Sequence, residues 1–487
     1  MLFNSVFFII LFLPLSLIGW FFLQRLETPV FAKVFLVGMS FWFYGYYNVS
    51  YLWILIFSMF MNYIFSILFD RVKGLGGRKV LLFVSVAGNL GLLFYFKYFN
   101  FFIDNCNYFI HTDIVIERIA LPLGISFFTF QQLSYIVDLY WKKTMHYKWW
   151  DYACYISFFP QLVAGPIVHH SDFCPQLLAR QNRRVKAENL YDGFSLFILG
   201  LAKKVLLADT LAIVVNAEYA NIRILDAAAA WATIICFTLE LYFDFSGYCD
   251  MARGIGKMFG FSLPENFNSP LMATSVRDFW RRWHMTLTAF FTSYIYIPLG
   301  GNRKGTPRKL VNLMIVFAVS GLWHGANWTF VVWGLLNGLA IVWENLFPKL
   351  RFKWEWVNRV FTFGFTVIAF SIFRSDNLQD ALLLLKKLFT GGWNNMLFGI
   401  SNVLQIPENY VLRQGLQALL PSAMNLMYLG TLLLPMVISV LLIRGKRAEV
   451  WIEEKGRSTF GLCVLASLFV WSFVSLSRVS TFLYFNF

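Results

Sequence analysis

Nine stretches of this chain, near residues 5–23, 31–48, 51–69, 80–99, 228–247, 325–346, 356–373, 426–443 and 460–477, are apolar over a length that crosses a bilayer. Inside lipid each must bond its own backbone N–H and C=O groups, so such runs become helices. Stretches near 120–140, 152–168, 194–216, 284–299 and 310–323 are shorter or interrupted by Pro, Gly or charge. Some of these are expected as re-entrant or in-plane helices, because irregular backbone at membrane depth survives only where protein or a cavity encloses it. The expectation is an all-α polytopic membrane protein with about ten to twelve spans. With 58% hydrophobic and only 14% charged residues over 487 positions, an ordinary soluble domain is excluded.

The net charge of +15 sits in short connections between the apolar runs. That placement follows the positive-inside rule and not nucleic-acid binding. Arg25 and Lys33, then Arg71, Lys73, Arg78 and Lys79, then Arg444, Lys446, Arg447, Lys455 and Arg457 mark cytoplasmic connections, whereas YYNVSY at 46–51 is uncharged. Counting from these anchors puts the N-terminus and the tail after Arg478 outside. The first apolar run lacks a basic leader and a small-residue cleavage site, so it reads as a retained span. Six scattered cysteines without a CxxC pair suggest neither a disulfide framework nor a zinc site.

Polar residues inside apolar runs point to the interior. Gln131, Ser134 and Asp138 fall at i, i+3 and i+7 on one helix face, which is expected to line protein or water. His146 lies in a basic, aromatic turn and reads as solvated. FFPQLVAGPIVHH, residues 158–170, carries two prolines and a glycine and reads as a re-entrant loop. His169 and His170 are potential ligands, although adjacent side chains diverge along a helix. Glu240 and Asp244 lie four apart on a helix face. They suit acid/base work, or structural pairing with Arg253, Lys257 or tyrosines. SVRD at 275–278 resembles a capping box opening a helix that carries Arg277, Arg281, Arg282 and His284 near the cytoplasmic face. Residues 374–425 form the largest extramembrane segment, with an amphipathic rhythm at 378–389.

His324 is the sharpest feature. An ionisable group at membrane depth usually faces a cavity or a partner and marks function, though a buried packing histidine is the alternative. From Lys309 to His324 a helix rises roughly 22 Å, short of the roughly 30 Å hydrocarbon core. His324 is therefore expected within the membrane, nearer the outer side. A desolvated imidazole tends to be neutral, the form a general base needs.

YFDFSGYCDMARG, then ENFNSPLMATSVRDFWRRWHMTLT, YIPLGGNRKG and GLWHGANWTFVVWGLLNG, together with LPLGISFFTFQQLSYIVDLY and FPQLVAGPI, resemble the membrane-bound O-acyltransferase (MBOAT) family. The likeness is to the bacterial branch that O-acetylates alginate and other exopolysaccharides, relatives of the D-alanyl transferase for teichoic acids. It spans residues 120–345 and, more loosely, the whole chain. It implies one membrane-embedded domain, with N-terminal helices at 1–118, the core at 119–347, C-terminal helices at 348–478 and a tail at 479–487. It also implies a ring of helices around a thin centre, with a tunnel that a cytoplasmic thioester enters from one side and the acceptor from the other. His324 matches the family's catalytic histidine. His284 matches the second histidine of this branch, on the cytoplasmic side, in a donor-binding or orienting role.

The chain ends in FLYFNF, residues 482–487, which resembles a terminal acyl-transfer motif whose tyrosine, here Tyr484, takes the acyl group. An aromatic interface belt anchoring the last helix is the other reading. Six residues from Arg478 to Tyr484 stretch about 20 Å, far enough to reach inward from the outer face. The expected donor is acetyl-CoA or an acyl carrier protein, with Arg277, Arg281, Arg282, Arg303 and Lys304 holding its phosphates or acidic surface. The absence of a Walker or Rossmann signature means the donor arrives already activated. No bound cofactor or metal is required. Expected partners are the bilayer, the donor, an extracytoplasmic O-acetyltransferase and a polysaccharide acceptor, in the bacterial cytoplasmic membrane. D-alanyl transfer is a second possibility, and a polysaccharide or ion transporter using Asp138, Glu240 and Asp244 is the alternative of a different class.

Overall fold

The structure is a computed structural model that describes residues 1–487 except 27, 180–183, 391, 393–395, 478–482 and 484–487. The described residues are helical, with no named strand among them; β-type pairing is confined to a bridge between Phe267 and Trp283. Among the described residues six helices are long and apolar enough to cross a membrane: Val49–Arg71, Leu75–Ile110, Ala227–Met258, Trp328–Leu346, Glu355–Arg374 and Pro421–Arg444. Shorter apolar helices run over Phe8–Leu23, Val30–Gly45 and Thr459–Val474. Much of the remaining apolar chain is cut into short pieces. Trp149–Ser157, Phe159–Leu162, His170–Leu178, Val276–Arg282 and Met285–Phe291 are each too short to cross.

The chain folds as two compact units, each assembled from several pieces. The first comprises Met1–Ile198, Tyr248–Asn266 and Thr286–Leu299. Its aromatic core stacks Phe12 edge-on to Phe159, with ring centroids 5.2 Å apart, and sets Phe43 5.4 Å from the same ring. Helix Ile125–Tyr140 is enclosed on almost every side, which is why it tolerates so many polar residues. Gln132 donates to Ser58 Oγ at 3.0 Å and accepts from the Tyr152 hydroxyl at 3.0 Å. Gly124 precedes this helix with φ +72, and a Cβ there would lie 2.7 Å from the Leu162 carbonyl, so only glycine fits.

Basic residues assigned to loops prove partly structural. Arg78 is buried in the first turn of Leu75–Leu93 and donates to the Phe69 and Leu139 carbonyls at 2.7 and 2.6 Å. It thus closes the C-terminal ends of two neighbouring helices, where unpaired carbonyls and the helix dipole favour a cation. Lys33 is likewise buried and paired with Asp151, while His146 is exposed, as expected, and pairs with Asp70.

The second unit comprises Leu199–Gly247, Phe267–Met285 and Gly300–Phe487. Its central feature is a hairpin of helices Gly305–His324 and Trp328–Leu346, turned by Gly325, Ala326 and Asn327. Asn327 caps the second helix by accepting from the Thr329 N–H at 3.1 Å. The two helices touch backbone to backbone: a Cβ on Gly321 would lie 2.4 Å from the Phe330 carbonyl oxygen, and one on Gly334 2.5 Å from that of Phe317. Helix Val276–Arg282 is fixed against Trp328–Leu346 by Trp280 Nε1 donating to Asn337 at 3.1 Å. Glu344 holds its start, accepting from the Val276 and Arg277 N–H groups at 2.6 and 3.1 Å.

Candidate functional site

His324 ends the first helix of the hairpin and is 4% exposed. Its imidazole sits in an aromatic box, with ring centroids 4.9 Å from Trp323, 5.0 Å from Trp333 and 5.4 Å from Phe373, all edge-on. The backbone contact at Gly321 and Gly334 sets this box, because it brings Trp333 of the returning helix alongside His324.

His284 is not carried on the cationic helix, as expected, but beyond its end. The helix stops at Arg282, because the bridge between Phe267 and Trp283 and the bond from Asn268 N–H to the Arg282 carbonyl, 2.9 Å, draw the next residues into extended pairing. His284 then turns into the left-handed region at φ +46 and is fully buried. Its ring lies 4.9 Å from Phe245 and 6.1 Å from Trp323. Both histidines therefore face one tryptophan, Trp323, which sequence reasoning did not single out. Its position just before His324 was the available signal.

The cationic candidates remain at the surface of the same unit. Arg281, Arg303 and Lys304 are exposed, Arg277 is half-buried, and Arg282 pairs with Asp278 at 2.9 Å. A cavity of about 280 Å³ opens among Thr274, Trp343, Glu344, Arg351, Phe361 and Phe365, and neither histidine lines it.

Asp244 is paired with neither Arg253 nor Lys257. Those cations lie nine and thirteen residues further along the helix, roughly 14 and 20 Å away by rise alone. Arg253 instead faces Asp250 and Glu265, and Lys257 pairs with Asp192 at 3.0 Å. Lys204 takes the role for Asp244, bridging Asp209 at 2.7 Å and Asp244 at 2.6 Å with all three side chains buried. A lysine inside the apolar run 194–216 is the sequence signal for this cluster. The other oxygen of Asp244 accepts from the backbone N–H of Leu483 at 2.9 Å. Tyr484 itself lies outside the described residues.

In the first unit a further cluster gathers on Asp138, at the end of helix Ile125–Tyr140. His169 Nε2, His170 Nε2 and the Tyr294 hydroxyl approach its Oδ2 at 2.9, 3.1 and 3.0 Å. Adjacent histidines converge here because only one is helical: His169 is extended, with ψ 146, and His170 opens helix His170–Leu178. Burial alone would raise the Asp138 pKa, but the bonds from His169, His170 and Tyr294 outweigh it and hold the carboxyl below the usual range. Burial pushes the His170 imidazole down, toward its neutral form.

A model described as MBOAT, membrane-bound O-acyltransferase family, matches residues 142–376. The chain is 39% identical over 419 residues to a peptidoglycan O-acetyltransferase of Helicobacter pylori, covering 79% of each protein. It is 36% identical over 406 residues to the probable alginate O-acetylase AlgI of Pseudomonas aeruginosa, covering 80% of this chain and 75% of that one. To a teichoic acid D-alanyltransferase of Bacillus subtilis it is 26% identical over 272 residues, 52% of this chain and 68% of the relative. An all-helical membrane architecture, two histidines gathered on Trp323 and matches of this extent lead to one assignment: the chain belongs to the membrane-bound O-acyltransferase family and is a membrane-bound acyltransferase.

Proposed function

We infer that this acyltransferase moves an acetyl group from a cytoplasmic thioester, across the bacterial cytoplasmic membrane, toward the hydroxyls of a cell-envelope glycan. The observation that carries the reading is the shared seat of His324 and His284 on Trp323, a water-poor aromatic site. The peptidoglycan and alginate O-acetylating relatives favour acetyl over D-alanyl as the group carried.

In this reading His324 takes the phenolic proton of Tyr484, and the phenolate attacks the thioester carbonyl. The C–S bond breaks, and the thiolate leaves with the proton from His324. A phenol with an ordinary pKa near 10 needs such a base at neutral pH. His284 orients the thioester. Arg277, Arg281, Arg282, Arg303 and Lys304 attract the phosphates of acetyl-CoA or the acidic face of a carrier protein. The anchoring of Leu483 to Asp244 supports a tail that enters the protein, because a peptide N–H is drawn to a buried carboxylate one residue before Tyr484. An extracytoplasmic O-acetyltransferase then transfers the group from acetyl-tyrosine to the glycan. Donor and tail reach His324 past Trp323, Trp333 and Phe373, the rings that enclose it.

The test uses the purified full chain in lipid nanodiscs with labelled acetyl thioester. Release of free thiol and a labelled C-terminal peptide by mass spectrometry, both lost in His324→Ala, are the expected results. Thiol release without label on Tyr484 overturns the carrier step, and equal turnover by His324→Ala overturns the base.

A further inference from the structure

The cluster on Asp138 is not used in that mechanism, and its donor set has the form of a metal site. We propose that Asp138, His169 and His170, completed by the Tyr294 hydroxyl, bind a divalent first-row transition-metal ion of the zinc class as a structural cross-link. The ligand atoms of the first three lie within 4.8 Å of one another, close enough to turn toward a shared ion. The Tyr294 hydroxyl stands 2.7 Å from His169 Nε2, supplying a fourth donor. Two imidazoles, a carboxylate and a hydroxyl suit a borderline cation, and four protein donors make a closed, structural coordination shell.

The outer contacts fit the same purpose. Metal-bound imidazoles are held through their second nitrogen, which fixes tautomer and ring plane. Here His170 Nδ1 lies 3.0 Å from the Tyr147 hydroxyl; His169 Nδ1, which accepts from the Ser171 N–H at 3.3 Å, lies 2.6 Å from Ser171 Oγ, toward which its N–H turns when Nε2 binds the ion. Asp138 and His170 are 3% exposed while His169 is 32% exposed, so the cluster is buried on two sides and open on one, where an ion enters. Lys143 stands 3.5 Å from the other oxygen of Asp138 and is 59% exposed. It balances the carboxylate in the absence of the ion and can turn to solvent when the ion enters. Tyr294 comes from a π-type turn, Thr292–Tyr296, a distortion common at functional positions. A bound ion ties that turn to helices Ile125–Tyr140 and His170–Leu178, which lie far apart in sequence.

The site contains neither reaction histidine, so its test is independent of acyl transfer. The full-length protein is stripped with a chelator in nanodiscs and titrated with zinc against a fluorescent competitor, and in parallel with cobalt(II), followed by its visible d–d absorption. The expected results are one equivalent per chain, a higher melting temperature on loading and the strong visible bands of four-coordinate cobalt. His169→Gln/His170→Gln loses all three, while His146→Gln, outside the cluster, keeps them. Tyr147→Phe, which leaves the four donors in place, weakens binding on the order of 10- to 100-fold. Substoichiometric binding by the wild type overturns the proposal. So does binding undiminished in the double variant, which would be adventitious and sited elsewhere.

Discussion

The backbone N–H of Leu483 donates to Asp244 at 2.9 Å, although 239 residues separate them in the chain. The other carboxylate oxygen belongs to Lys204, so one buried aspartate ties Leu483 to a buried cation.

Lys204 keeps Asp209 at 2.7 Å when Asp244 is removed, so the cost is that of leaving the buried Leu483 N–H without its acceptor, about 1–3 kcal/mol. Asp244→Val, which has no acceptor for that N–H, is therefore expected to lower the melting temperature and to free the tail. Carboxypeptidase digestion followed by mass spectrometry checks this: the variant loses residues beyond Leu483 faster than the wild type. Equal digestion rates would show that Asp244 does not hold the tail. Lys204→Met/Asp209→Asn/Asp244→Val, which removes all three charges together, is expected to recover much of the stability but not the protection.

A general base contributes about 10²- to 10⁴-fold to a proton-transfer step. His324→Ala is expected to lose activity in that range in kcat, with the donor KM little changed. His324→Gln fills the same box without a basic nitrogen and is expected to fail equally while melting like the wild type, which separates chemistry from packing.

Gly321→Ala is the sharpest geometric test, since its Cβ would lie 2.4 Å from the Phe330 carbonyl oxygen. The hairpin must open, at about 1–3 kcal/mol for overpacking. His324 keeps its identity but moves relative to Trp333, and a shift near 1 Å costs on the order of 10²-fold in rate. A variant that melts lower yet turns over at the wild-type rate would show that the helix contact does not set the site.

Glu344 caps the helix that carries Arg277, Arg281 and Arg282. Glu344→Ala is expected to cost about 0.5–2 kcal/mol, the usual worth of such a cap. It should raise the donor KM more than it lowers kcat, because the arginines lose their register while His324 does not. Glu344→Gln keeps one acceptor oxygen and should fall between. Steady-state kinetics with acetyl thioester separates the two parameters.

Apolar run length and the positions of charge were enough to read an all-helical membrane protein, because a bilayer leaves the backbone few alternatives. His324 was legible for the same reason: an imidazole in a long apolar run needs an explanation, and the surrounding motifs supplied the family. Sequence spacing could not reveal which groups meet across the fold. Periodicity ranks neighbours only along one helix, so it offers Asp244 acid/base work or a structural partner among Arg253, Lys257 and tyrosines, whereas Lys204 on a different segment holds it. His284 was placed on a helix that ends two residues earlier, because the pairing of Phe267 with Trp283 is a long-range contact. The convergence of His169 and His170 on Asp138 came from one change of backbone conformation between adjacent residues. Local chemistry and the bilayer set which segments are helical and which residues are unusual; tertiary packing alone chose their partners, because contacts between distant segments leave no period in the sequence.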